Sequence, residues 1–223
     1  MEPHAMEIRV VASDRLDDRD REGIHALFGE NYRDANHAYL DKSFAVLRQT
    51  ALAEIDGALV GFAIGDAVRA NLPRFDDPQA VALAGLSCID PATRRRGLFT
   101  RLSLAAMSAN GVIAAAPRFL FTGRMAHVLT YRHMANNATN AVPDAAAPLT
   151  DWHREVAVRI AELFQCEVDP ENFVVRGPGA PIGYPRVDFD APKELEALFA
   201  PVDRSRGDAL LAMAWMPDAP AGW

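Results

Sequence analysis

The chain has 223 residues, 50% of them hydrophobic and 24% charged, a globular composition with enough chain to bury a core without disulfide or metal staples. Two cysteines, Cys88 and Cys166, exclude a disulfide framework and a four-cysteine zinc site, and no apolar run approaches the ~20 residues of a membrane span. The formal net charge is −7, with 23 Lys+Arg against 30 Asp+Glu, which argues against nucleic acid and mildly toward a cationic small partner.

The first residues lack the apolar segment of a signal peptide, so a reduced, cytoplasmic protein with no membrane association is expected. Residues 1–5 read as a tag or a disordered tip. One domain is expected over 6–223, since no clean linker divides it. Residues 6–11 alternate as a first strand does. Residues 17–32 are acidic at the front and place Ile24, Leu27 and Phe28 at helical spacing. Residues 39–49 repeat that pattern with Leu40, Phe44 and Leu47, and the polar stretch 29–37 predicts a loop between the two helices. Extended runs at 50–55 and 58–64 flank Asp56-Gly57, a hairpin signal.

The turn-rich stretch 73–78 precedes an apolar strand over 80–89, which stops at Asp90-Pro91. Residues 98–109 predict a helix with Leu98, Leu102, Ala105 and Ala109 on one face, ended by Asn110-Gly111. A strand over 118–122 and a helix over 127–136 follow, the helix with Val128, Tyr131 and Met134 in one row. In the last third, Asp151 can cap a helix over 151–165 striped by Val156, Ile160 and Leu163. A short strand at 172–176, a loop at 177–185, a short helix at 194–199 and a final strand at 209–216 complete the chain. The order predicts an α/β fold of the α+β kind, a mixed sheet with helices on both faces.

The chemistry concentrates in Leu86-Ser-Cys-Ile-Asp-Pro-Ala-Thr-Arg-Arg-Arg-Gly-Leu-Phe-Thr-Arg-Leu102. A strand runs into a proline, an arginine-rich turn, one glycine and a helix. First-turn helix amides lack internal partners and the helix dipole adds positive potential there, so anions and above all phosphates bind such a place. Gly97 has no Cβ to hold a phosphate off, and arginines add bidentate, charge-assisted bonds. The absence of Gly-Lys-Ser/Thr excludes a P-loop, and a single glycine excludes the Gly-x-Gly-x-x-Gly dinucleotide turn.

This stretch resembles the coenzyme A site of the GNAT superfamily of N-acetyltransferases, whose pattern is Gln/Arg-x-x-Gly-x-Gly/Ala directly after its fourth strand. Arg94-x-x-Gly97-x-Phe99 matches the arginine and the first glycine and departs at Phe99. That side chain either narrows the pyrophosphate cleft or turns into the helix packing. The family's order of two helices after the first strand, a hairpin, then the coenzyme strand and helix also matches, over about residues 6–135. The resemblance implies a GNAT-like acyl-CoA N-acyltransferase fold with an elaborated C-terminal third.

Carried over residue by residue, the resemblance implies that Arg95, Arg96, Gly97, Leu98, Phe99 and Thr100 offer amides to the pyrophosphate. Ser87, Cys88 and Ile89 then line the pantetheine arm through main chain. The Cys88 side chain reads as a small buried hydrophobe, since no histidine is placed beside it. Tyr131 falls where the family's proton donor to the departing thiolate stands; it also reads as a core aromatic on the Val128/Met134 stripe. The asparagine the family often carries seven residues earlier is Arg124. The candidate general bases are Glu30, His37, Glu54 and Asp66. His127, His133 and His153 have no metal spacing, so no metal is expected, and His153 and Glu155 read as exposed.

The expected function is an N-acetyltransferase that moves an acetyl group from acetyl-CoA, as co-substrate, to a primary amine by direct attack in a ternary complex. The alternatives are a longer-chain acyl-CoA N-acyltransferase, motivated by Phe99 and the long C-terminal third, and a non-catalytic acyl-CoA sensor. The partners expected are acetyl-CoA and an amine of open identity, without nucleic acid or membrane, and with room for a homodimer.

Overall fold

A computed structural model describes residues 6–94, 97–187 and 189–223. The expected tag or disordered tip at 1–5, like Arg95 and Arg96, lies outside the described residues. The chain opens with strand β1 (Met6–Ala12), helix α1 (Asp18–Asn31), a two-residue strand β2 (Tyr32–Arg33) and helix α2 (His37–Val46). Side chains cap both helices: Asp17 accepts from the Asp20 amide and Asn36 from the Tyr39 amide. Strands β3 (Gln49–Ile55) and β4 (Ala58–Ala70) form the expected hairpin. Asp56 and Gly57 both have positive φ, 52° and 77°, as a primed turn requires.

Strand β5 (Gln79–Ile89), helix α3 (Leu98–Ser108), strand β6 (Phe119–Met125), helix α4 (Val128–Ala135) and helix α5 (Asp151–Leu163) follow. The last third adds short strands β7 (Val168–Asp169), β8 (Val174–Val175) and β9 (Tyr184–Pro185), helix α6 (Lys193–Phe199) and strand β10 (Ala209–Met216). Eight of these strands form one sheet in the order β1-β3-β4-β5-β6-β10-β8-β7. Its one parallel pair is β5 with β6, and α3 makes the crossover between them. This is the mixed α/β sheet expected from the order of elements.

The two faces of the sheet bury different sets of side chains. Alanines dominate one: Ala51, Ala53 and Ala63 pack beneath Leu98, Leu102 and Ala106 of α3. Small strand side chains let this helix lie close. The opposite face is larger and covers Phe28, Leu40, Phe62, Met134, Ile160 and Trp215 from many elements. The α3 stripe therefore runs through Leu98, Leu102 and Ala106, at i, i+4 and i+8. The expected stripe residue Ala109 is exposed at the helix end.

Two details of the last third differ from expectation. Thr150, not Asp151, caps α5, because its hydroxyl accepts from the His153 amide while His153 Nδ1 accepts from the Thr150 amide. His153 is buried rather than exposed: the cap turns its ring inward, where the Trp223 ring covers it at 4.7 Å. Glu155 on the same helix is exposed as expected and pairs with Arg74 at 3.0 Å. Among the described residues no helix is long and apolar enough to cross a membrane.

Candidate active site

The site begins where two parallel strands separate. β5 and β6 pair from Ala80↔Phe119 to Ala84↔Gly123, and there the pairing stops. β5 runs on to Ile89, still held by β4 on its other side. The same point carries a bulge: Ala63 faces Ser87 but Gly65 faces Ala84, so Gly85 and Leu86 stand against Ile64 alone. A bulge bends its strand and strengthens the twist, which turns the end of β5 away from β6. Residues 85–89 are left with no strand partner on the β6 side among the described residues.

Close approach at the bulge depends on Gly85. A Cβ there would lie 2.8 Å from the Ile64 carbonyl oxygen and 2.4 Å from Leu47 Cδ1. The parted edge is lined on one side by Tyr32, whose hydroxyl donates to the Ser87 carbonyl at 2.5 Å. Burial raises the Tyr32 phenol far above its ordinary pKa; the Cys88 thiol adds to the rise and the Arg94 guanidinium opposes it. Tyr32 therefore stays a neutral donor at any ordinary pH.

The gap between the strands has two parts that share Thr130. The outer groove, about 320 Å³, runs past Ile89, Arg94, Gly97, Phe99 and His133. Gly97 caps α3 with φ 69°, and a Cβ there would meet nothing within 4 Å. Among the described residues no side chain caps this helix, so its first-turn amides at Leu98, Phe99 and Thr100 can meet an anion. Phe99 meets the His133 ring edge-on at 5.1 Å, and the Thr100 hydroxyl lies 3.0 Å from His133 Nε2. Of the two placements open for Phe99, the structure has it at the groove wall.

The inner cavity is small, about 80 Å³, and is bounded by residues 84–87, by Tyr32, Tyr39, Arg124 and His127, and by Ile182, Gly183 and Pro185. The last three form a roof from the C-terminal third. β9 pairs with β2 through Tyr32↔Pro185 and Arg33↔Tyr184. The Asn36 side-chain Nδ2 donates to the Pro181 carbonyl at 2.9 Å, and the Tyr184 hydroxyl anchors the roof to the Arg204 carbonyl at 2.6 Å.

The structure brings Ser87, Ile89, Gly97, Leu98, Phe99 and Thr100 along this gap, with Leu98 also packed against the sheet beneath α3, and leaves Cys88 out of its lining. The Cys88 thiol faces the core, 3.5 Å from the Leu27 carbonyl, and burial pushes it up to about 12, above the reach of a nucleophile at neutral pH. Tyr131 is not brought to the gap. It is buried on the Val128/Met134 stripe, its hydroxyl donates to the Pro143 carbonyl, and Phe199 covers its ring edge-on at 6.2 Å. Burial pushes its phenol up to about 12. The α4 residues that face the gap are Leu129, Thr130 and His133.

The four candidate bases lie elsewhere. Glu54 pairs with Arg9, and Asp66 is buried in a bidentate pair with Arg48 at 2.6 and 3.0 Å. His37 meets His25 at 2.8 Å on the outer side of α1 and α2, and Glu30 is exposed. Among the described residues no group of three or more His, Cys, Asp or Glu side chains is placed to hold a metal. Sequence reasoning held Tyr32 and Tyr39 only as substitutes for Tyr131, missed Thr130 as a lining residue and missed the roof altogether.

No family model and no curated protein matches the sequence. The chain is similar to solved structures. One is an aminoglycoside N-acetyltransferase, AAC(6')-Iy, in complex with CoA, at 16% identity over 60% of this chain and 86% of that one, with a TM-score of 0.42. Another is a ribosomal-protein-alanine N-acetyltransferase from Brucella melitensis biovar Abortus 2308, at 15% identity over 66% and 95%, with a TM-score of 0.42. A third is the GNAT-family N-acetyltransferase YhbS from Escherichia coli in complex with CoA, at 15% identity over 59% and 69%, with a TM-score of 0.39.

Proposed function

We propose that this chain is a member of the GNAT superfamily and moves an acetyl group from acetyl-CoA to a primary amine while both are bound. The observation that supports this most directly is the parting of β5 and β6 at Ala84 and Gly123. It leaves a strand edge that an extended pantetheine arm can pair with, as an added strand pairs with a sheet. The edge leads to the uncapped start of α3, where the open side of Gly97 and the free amides of 98–100 fit a pyrophosphate. The coenzyme supplies a thioester, an acyl group already activated toward amines.

Within this reading the amine nitrogen attacks the thioester carbonyl carbon. The C–N bond forms, the C–S bond breaks, and the electron pair leaves on sulfur, which takes up a proton. The surplus proton of the amine leaves through water, because no carboxylate lines the inner cavity among the described residues. Main-chain amides of the bulge are fixed donors for the carbonyl oxygen as negative charge grows on it. Holding both reactants in one small space supplies much of the remaining rate.

Tyr39 is the residue we assign to protonating the sulfur. Its phenol lines the inner cavity, and its hydroxyl has no hydrogen-bond partner among the described residues, unlike those of Tyr32 and Tyr131. The small inner cavity, about 80 Å³ and roofed by Ile182 and Pro185, supports a short acyl group over a long chain. Acetyl-CoA should raise the melting temperature by mass action, and primary amines should then release free thiol. No shift with acetyl-CoA, and no thiol release with any amine, would refute the reading.

A further inference from the structure

We propose that the inner cavity holds a carboxylate subsite in which Arg124 reads an acidic group on the acceptor, so that the acceptor is a small amino-acid-like amine. The inference rests on the transferase reading above and names the substrate class of that same site.

Arg124 is the first β6 residue beyond the last pair with β5, and its side chain reaches the inner cavity. Its guanidinium carbon lies 5.6 Å from the centre of the Tyr39 ring and 5.0 Å from that of Phe164. Aromatic faces hold the guanidinium by cation–π attraction and leave its N–H edge for a planar oxygen pair.

Arg9, Arg48, Arg74, Arg154 and Arg159 all meet carboxylates within ion-pair distance. Arg124 meets none among the described residues, and no Asp or Glu lines the inner cavity. Nearby stands the Cys166 thiol, which donates to the Ala161 carbonyl at 3.5 Å and which burial lifts above its ordinary pKa against the pull of Arg124. A neutral thiol supplies no counter-charge. The site is therefore a half-buried, preorganised cation without an anion. A cation in poor contact with water gains most from a charge-assisted, bidentate carboxylate. The cavity of about 80 Å³ limits the rest of the acceptor to a few atoms.

This placement runs against the acidic net charge of the chain, which on its own points to cationic partners. The local cavity decides, because long-range surface charge is screened over ~10 Å while a half-buried site is not.

The test compares matched acceptors, β-alanine with propylamine and glycine with glycinamide, by thiol release per unprotonated amine. The wild type should favour the carboxylate member by about 100-fold in kcat/KM, the size of effect expected for hydrogen bonds to a charged group. Arg124→Met should collapse that ratio to near unity, through KM for the carboxylate acceptors, and Arg124→Lys should restore part of it. A wild type indifferent to the carboxylate, or an Arg124→Met variant that keeps the preference, overturns the inference. So does an Arg124→Met variant that loses the acetyl-CoA thermal shift, because Arg124 would then hold the coenzyme. Thermal shifts with β-alanine and propylamine alone, in wild type and Arg124→Met, read the subsite without turnover. If acetyl-CoA fails to bind, the transferase reading falls. The subsite still stands or falls on whether an Arg124-dependent shift with β-alanine is present.

Discussion

Gly85 and Ile64 meet so closely that a Cβ on Gly85 would lie 2.8 Å from the Ile64 carbonyl oxygen. That contact sits at the bulge where β5 leaves β6. The backbone cannot yield without moving both strands, so Gly85→Val should cost about 1–3 kcal/mol, the usual size of overpacking. It should also abolish the thermal shift with acetyl-CoA, because the strand edge is displaced. Urea denaturation and the thermal shift read the two effects separately. A Val variant of full stability and full coenzyme response would show that the bulge does not set the cleft.

Gly97 tests the other end of the cleft. A side chain there faces open space, so Gly97→Trp should fold. The left-handed φ of 69° should cost about 1–2 kcal/mol for any residue with a Cβ. The indole would stand where the phosphates approach, and acetyl-CoA should no longer raise the melting temperature. Retained binding by a folded Trp variant would place the coenzyme elsewhere.

Tyr39 and Tyr131 separate a proton donor from a core aromatic. Tyr39→Phe should lower turnover by about 10²–10⁴-fold, the range of general acid–base help, with coenzyme binding nearly unchanged. Tyr131→Phe should keep turnover and lose about 1–3 kcal/mol of stability, because the buried Pro143 carbonyl loses its donor. The reverse pattern would return the chemical role to Tyr131.

Much of the fold was legible because it rests on local signals. The β10 boundaries, the Asp56-Gly57 hairpin and the helices at 18–31 and 98–108 follow from period and turn chemistry. Tyr131 shows where spacing misleads. Its distance from Gly97 suggested the cleft, yet its position in the Val128/Met134 row puts it on the buried face of α4, and the neighbours Leu129, Thr130 and His133 face the gap. The apolar row was the better guide.

The roof was not legible. β2 and β9 are two residues each, too short for any periodicity, and they join segments far apart in the chain. The buried His153 was hidden for a related reason: the Trp223 ring that covers it comes from the end of the chain. Gly85 did carry a signal, an isolated glycine inside an apolar strand, which marks a bulge or a close backbone approach.

The cysteines give a pH-dependent check on the core. Burial raises the Cys88 thiol to about 12 in the folded protein, above its ordinary value of 9.0. A group raised in this way stabilises the fold fully below its unfolded pKa, and that contribution is lost as pH rises from about 9 toward 12. Native protein at pH 8 should therefore resist iodoacetamide at Cys88, and denatured protein should react at both cysteines. Fast labelling of Cys88 in the native state would contradict its placement against Leu27.

The most direct test of the account is a product balance with acetyl-CoA and a primary amine, following free thiol and N-acetylated amine by mass spectrometry. The account predicts the two products in equal amounts, above the buffer rate for the wild type and at the buffer rate for Gly97→Trp. Thiol release without N-acetylated amine, or equal rates in the wild type and Gly97→Trp, would contradict acetyl transfer in the cleft between β5 and β6.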